Sequence, residues 1–181
     1  MKIGIGIPTH GTVTTHTVET LVGLLGALTC DGAVITETGP YIQWNREMIV
    51  RHAQVAHCNY LFFLDHDIEC PRETINRLVA HEKDIIGCAY NIRGTHVSAV
   101  KSDLPRAQWP QEPFRVTAIP TGAALIRMAV FEAIPSPWFQ IDAANIGATE
   151  DVWFCRQATH ARIGVWCDAM IPVKHWGEAA Y

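Results

Sequence analysis

The uninterrupted apolar run Tyr60-Leu61-Phe62-Phe63-Leu64, which stops abruptly at Asp65-His66-Asp67, constrains this chain more than any other feature. A strand with water on one face alternates apolar and polar side chains, so a run without alternation reads as a strand covered on both faces. Other segments repeat the theme. Ile3, Ile5 and Ile7 alternate with glycines over residues 2–8, where Pro8 cannot continue a ladder, and shorter strands are expected at 33–36, 84–90, 116–119, 123–126 and 163–167. Between them the spacing turns helical. Over 14–28, Val18, Leu21, Val22, Leu25 and Leu28 mark an apolar stripe with Thr14 or Thr15 as the cap. Further helices are expected at 44–56, from Pro71 onward, at 128–134, and at 150–161 behind Thr149. Strand-helix alternation of this kind predicts an α/β fold, a mostly parallel sheet with helices on both faces and ligands at the carboxyl ends of its strands. Residues 91–114 carry no periodicity and read as a long loop of the kind that covers a site.

Composition narrows the function. A chain of 181 residues, 49% hydrophobic, is sized for one domain around one core. Its net charge of -4 excludes the basic stripe that neutralises a nucleic-acid backbone. No apolar run approaches the roughly 20 residues of a membrane span, and the opening residues carry no charged leader ahead of an apolar stretch, so a cytoplasmic protein is expected. Six cysteines contain no CxxC pair, and Cys58, Cys88, Cys155 and Cys167 lie in apolar segments, which predicts reduced thiols that pack as small hydrophobes.

Three acidic or metal-capable groups stand out. Asp65 and Asp67, spaced i, i+2 at a strand end, suit a hard cation such as Mg2+ or Mn2+, although carboxylates there also serve to start a turn. A second apolar run, Ile171-Pro172-Val173-Lys174, finishes at His175, a candidate nitrogen ligand. Glu150 and Asp151 open a helix, where acids offset the macrodipole; Asp151 is also a candidate general base for an acceptor hydroxyl. Trp138 and Trp153 offer flat faces to a sugar ring, or else belong to the core.

Taken in order, these residues resemble the A-type glycosyltransferases, most closely the small family-2-like members of bacteria and their phages. The resemblance covers nearly the whole chain. Its anchors are Ile7-Pro8-Thr9, Asn45-Arg46-Glu47-Met48, Leu64-Asp65-His66-Asp67, Thr121-Gly122-Ala123-Ala124-Leu125-Ile126-Arg127, Thr149-Glu150-Asp151 and His175-Trp176-Gly177. It implies a single Rossmann-like domain whose residues 1–90 bind a nucleotide sugar and whose residues 91–181 hold the acceptor and the catalytic groups. Pro8, Thr9, Glu37, Arg46, Asp65, His66 and Gly122 would bind the donor, with Gly122 letting the backbone approach the transferred sugar. Asp65, Asp67 and His175 would surround Mn2+ or Mg2+. Asp151, with Glu150 beside it, would be the base of an inverting transfer from a nucleoside-diphosphate sugar, uridine rather than guanosine, to a carbohydrate or other hydroxyl, with Trp138 and Trp153 on the acceptor side. Two departures are visible. Glu37-Thr38-Gly39 replaces an Asp-rich turn, and the chain ends soon after His175, so a second copy is expected to complete acceptor binding. A nucleotidyltransferase would want a glycine- and basic-rich first loop, whereas Pro8-Thr9-His10-Gly11 has one glycine and neither Lys nor Arg. The alternative from another class is a nucleotide-sugar-binding protein without turnover.

Overall fold

The computed structural model describes residues 1–142 and 148–177. The chain runs β1 (Lys2–Thr9), α1 (Thr15–Ala27), β2 (Asp31–Thr38), α2 (Ile42–Val55), β3 (Tyr60–Leu64), β4 (Ile68–Glu69), α3 (Thr74–Ala80) and β5 (Ile85–Cys88). After a long loop come β6 (Phe114–Arg115), β7 (Ala123–Arg127), α4 (Met128–Ala133), α5 (Glu150–His160), β8 (Val165–Asp168) and β9 (Lys174–His175).

Seven strands form one sheet in the order β2-β1-β3-β7-β5-β8-β6. β1 pairs parallel with β2 and β3, β5 pairs parallel with β8, and β7 lies antiparallel between β3 and β5. Five strands therefore share a direction, and β7 and β6 oppose it. The expected α/β sheet is present, largely parallel with two reversed strands. The common direction brings the carboxyl ends of β1, β3, β5 and β8 to one edge, where β7 also begins. β4 and β9 make a separate two-stranded ribbon.

Strand alternation sorts the interior into two cores rather than the single one expected. On one side of β3, Tyr60, Phe62 and Leu64 pack with Leu24 of α1 and Ile75 and Leu78 of α3. On the other, Leu61 and Phe63 pack with Ile49 and Val50 of α2, Phe131 of α4 and Phe154 of α5. Each fully buried Leu or Phe contributes about 1.5–3 kcal/mol by leaving water, which is why an unbroken apolar run can occupy the sheet's centre. The six cysteines are free thiols, five of them buried, as their spacing predicts. Among the described residues no helix is long and apolar enough to cross a membrane.

Two readings need correction. α1 begins where expected, with the Thr14 hydroxyl accepting from Thr17 N at 3.2 Å, but its buried residues are Thr17, Thr20 and Leu24. Val18, Val22 and Leu25 are exposed by 47%, 66% and 39%. The helix turns its threonines inward because Thr17 Oγ1 donates to Ile68 O, at 3.0 Å, on the ribbon it packs against. The strand expected at 116–119 is displaced to β6, and only Ala118 of that stretch bridges, to Lys101.

Candidate functional site

Asp65 is held in place before its chemistry begins. Its N–H donates to Gly122 O at 2.9 Å, extending the β3–β7 ladder by one residue. Its carboxylate meets Arg46 from α2, with Nη2 donating to Oδ2 at 3.1 Å and Nη1 3.0 Å from Oδ1. The second contact is a close charge pair without hydrogen-bond alignment. Arg46 Nη1 and Asp65 Oδ1 thus both lack a hydrogen-bond partner among the described residues. Arg46 is 2% exposed, lies 5.2 Å from the centre of the Phe63 ring, and approaches two further acids: Nε is 3.5 Å from Glu150 Oε1, and Nη2 is 3.9 Å from Asp151 Oδ1. Burial works against the guanidinium charge, yet Asp65, then Asp151 and Glu150, more than offset it and hold its pKa above the ordinary value.

One cation among three carboxylates leaves negative charge uncompensated, and Asp151 is the group that resists ionising. Burial first, then Glu150, pushes the Asp151 carboxyl up to about 7, against the opposing pull of Arg46 and of Thr121. The fully buried Thr121 donates its hydroxyl to Asp151 Oδ1. Thr149 is the N-cap residue of α5, as expected, with extended backbone, although its side chain makes no cap hydrogen bond among the described residues.

The ribbon brings in the carboxyl-terminal histidine. Ile68 pairs with His175 in the β4–β9 register, and Trp176 N donates to Asp67 O at 2.8 Å. His175 Nδ1 donates to Asn91 O at 3.1 Å, which turns Nε2 toward Asp67 Oδ2, 3.4 Å away. His66 Nε2 stands 4.0 Å from the same oxygen, and Arg93 Nη2 donates to it. Burial alone would raise the Asp67 pKa, but the His175 contact, with His66 and Arg93, outweighs it and the carboxyl lies below the usual range. Asp67 in turn raises His175.

All of these groups face one cavity of about 430 Å³ lined by Arg46, Asp65, Asp67, Glu150, Asp151 and His175, with His66, Tyr90 and Arg93 beside them. The catalytic and metal candidates read from the sequence therefore converge. A second cavity of about 440 Å³, lined by Thr12, Thr14 and Trp176, shares His66, Asp67 and Arg93 with the first. Among the described residues no set of three His, Cys, Asp or Glu side chains forms a cage for a metal ion.

The other expected donor and acceptor residues do not line this cavity, although Gly122 lies against two that do. Thr9 turns its hydroxyl to Thr12 O at 2.5 Å, and its carbonyl accepts from Asn45 at 3.1 Å, so with Pro8 it shapes the turn after β1. Glu37 pairs with His52 at 2.9 Å. Gly122 is required by the protein itself, because a Cβ there would lie 2.5 Å from both Asp65 Oδ2 and Tyr90 Oη. Trp138 is a core residue, 6% exposed, whose Nε1 donates to Phe131 O and Ile134 O at 3.0 and 3.1 Å; this corrects its acceptor role. Trp153 donates to Pro137 O at 3.3 Å, away from the cavity. Sequence reasoning assigned no role to Arg93, Tyr90 or Thr121. Tyr90 and Arg93 flank the start of the aperiodic loop, and Thr121 enters the sequence reading only as the first residue of the Thr121–Arg127 anchor.

No family model and no curated protein matches the chain. Among solved structures it is similar to the crystal structure of A197 from STIV, with 16% identity and a TM-score of 0.71 over 98% of this chain and 87% of that one. At that identity the likeness speaks for the fold, and it spans the sheet and both layers of helices.

Proposed function

We propose that the protein transfers a glycosyl group from a nucleoside-diphosphate sugar to a hydroxyl acceptor, with inversion at the anomeric carbon and with a divalent cation. The observation that carries this reading is the meeting, in one cavity at the sheet's carboxyl edge, of the Asp67–His175 oxygen–nitrogen pair with a carboxyl tuned toward neutrality, Asp151.

The residues fit Mg2+ or Mn2+. Nδ1 donates to the Asn91 carbonyl and fixes the ring, so on losing its Nε2 proton to a competing cation His175 would present that nitrogen beside Asp67 Oδ2 as a ligand. Two protein ligands rather than a full cage is the pattern of a cation shared with substrate phosphates and water. Such a cation, when bound, offsets the charge of a departing diphosphate. Asp65 is clasped by Arg46, with Oδ1 buried against Nη1 and Oδ2 accepting from Nη2, so its carboxylate is fixed at the cavity wall. Arg46 has its charge committed to three carboxylates, so its role here is to gather them rather than to grip phosphate. Asp151 takes the proton as the acceptor oxygen bonds to the anomeric carbon and the bond from that carbon to the diphosphate breaks.

A thermal-shift series with nucleoside-diphosphate sugars, in manganese and in chelator, tests the reading. A midpoint raised by one donor, and raised further by manganese, is expected. Equal shifts in both conditions would remove the cation, and no shift with any donor would overturn the proposal.

A further inference from the structure

Asp67 Oδ2 is the most contested atom of the cavity. Arg93 donates to it, and His175 Nε2 and His66 Nε2 lie 3.4 and 4.0 Å away. A cation bound to that oxygen and a guanidinium on the same oxygen repel each other, so the two are alternatives. Arg46 and Arg93 differ in the way this requires. Arg46 is 2% exposed and enclosed by carboxylates, whereas the Arg93 side chain is 49% exposed and leaves Asp67 without opening a void in the core. The Arg93 stem lies against Gly177, where a Cβ would sit 2.5 Å from Arg93 Cγ and 2.6 Å from Cδ. Arg93 also lines both the 430 and the 440 Å³ cavities, so a guanidinium released from Asp67 stays inside the cleft.

Building on the cation reading above, we infer that Arg93 is a donor-binding residue held in reserve: it pairs with Asp67 until a divalent cation displaces it, and its freed guanidinium then binds the diphosphate. The planar fork of an arginine matches two phosphate oxygens, and Arg93 is the guanidinium of this cavity whose charge is not shared among several acids. Cation and diphosphate therefore bind cooperatively, each completing the site for the other.

The test titrates Mn2+ alone into the purified wild-type, Arg93→Ala and Gly177→Ala proteins, by paramagnetic resonance of free Mn2+, and then inorganic pyrophosphate at saturating Mn2+ by calorimetry. With its competitor removed, Arg93→Ala should bind Mn2+ roughly fivefold or more tightly than wild type, and pyrophosphate roughly tenfold more weakly. Gly177→Ala, whose added methyl pushes the Arg93 stem away, should also tighten Mn2+ while keeping pyrophosphate affinity. Unfolding midpoints confirm that each variant is folded, and Gly177→Ala carries the test if Arg93→Ala is not. Unchanged or weaker Mn2+ binding in the folded variants overturns the exchange while leaving the cation reading intact. Unchanged pyrophosphate affinity in Arg93→Ala overturns the donor role. Failure of wild type and variants alike to bind Mn2+ overturns the cation reading, and the inference with it.

Discussion

Asp168 and Asp151 lie at the same edge of the sheet, each beside an arginine, and their environments act on them in opposite directions. Asp168 is fully buried, and four donors meet its carboxylate: Arg77 Nε at 2.7 Å, Arg77 Nη2 at 3.0 Å, His81 Nε2 at 3.0 Å and Met170 N at 3.0 Å. Burial pushes its pKa up, but Arg77 and His81 outweigh burial and it settles below the usual carboxylate range. Asp151 receives the Thr121 hydroxyl and a share of Arg46 at 3.9 Å, with Glu150 next to it, and is driven up to about 7. The difference is the ratio of donors to carboxylates. A fully satisfied acid is a structural lock, whereas acids that outnumber their cation store the proton affinity that base chemistry uses.

The largest test of that contrast removes the cation from each cluster. Arg46→Met leaves the buried Glu150 and the half-buried Asp65 and Asp151 without their shared counter-charge and should lower the unfolding free energy at pH 7.5 by about 3 kcal/mol. Arg77→Met should cost only about 1–2 kcal/mol, because His81 and Met170 N still serve Asp168 and the Arg77 side chain is 44% exposed. Chemical denaturation measures both, and equal losses would break the comparison.

Next in size is the loss of function without loss of fold. Asp151→Asn removes the base and should cut transfer by roughly 10²-fold or more, while stability holds or rises because a repelled charge is gone. Near-wild-type transfer by this variant would sink the base assignment.

Asp168→Asn should show the reverse pattern, with transfer little changed and a stability loss of about 2 kcal/mol at neutral pH. The pH dependence has a definite sign. Asp168 is depressed below its unfolded value of about 3.8, so its contribution is full above that pH and disappears as acid carries the solution through the lower folded value. Asp151 is raised, so its contribution is full below about 3.8 and is lost as pH rises to about 7. Denaturation at pH 3, 5 and 8 should therefore show wild type and Asp168→Asn converging in acid, and wild type falling behind Asp151→Asn toward neutrality.

How much of this was legible follows from what a linear sequence records. Tyr60–Leu64 was read to the residue because a strand buried on both faces leaves an unmistakable apolar run. Asp65, Asp67, Asp151 and His175 were found because each ends or opens such an element, and strand direction delivers those points to one edge. The two-residue strands Ile68–Glu69 and Lys174–His175 were not read, since two residues carry no period, although their pairing is what seats His175. The α1 stripe was misread because Thr17 is buried for a hydrogen bond, which hydropathy does not see. The clasp of Arg46 on three acids, and the contact of Arg93 with Asp67, join residues far apart in the chain and have no one-dimensional signature.

The smallest effect is the sharpest probe of how Asp151 is tuned. Thr121 Oγ1 donates to Asp151 Oδ1 and so favours the ionised carboxylate over the neutral acid. Thr121→Val keeps the shape of a fully buried side chain and deletes only that donor, so the carboxyl must climb further above about 7. A hydrogen bond to a charged group contributes about 1.5 kcal/mol or more, which corresponds to a displacement of about one pH unit. A base acts in its ionised form, so activity rises with pH through the Asp151 pKa. In Thr121→Val that rising limb should therefore move alkaline by about one unit, with the plateau rate nearly unchanged. The same substitution should leave the acid-side stability contribution of Asp168 where it was, because Thr121 has no contact with that cluster. A plateau that falls while the limb stays in place would mean that Thr121 positions the acceptor or the backbone at Gly122 rather than tuning the base.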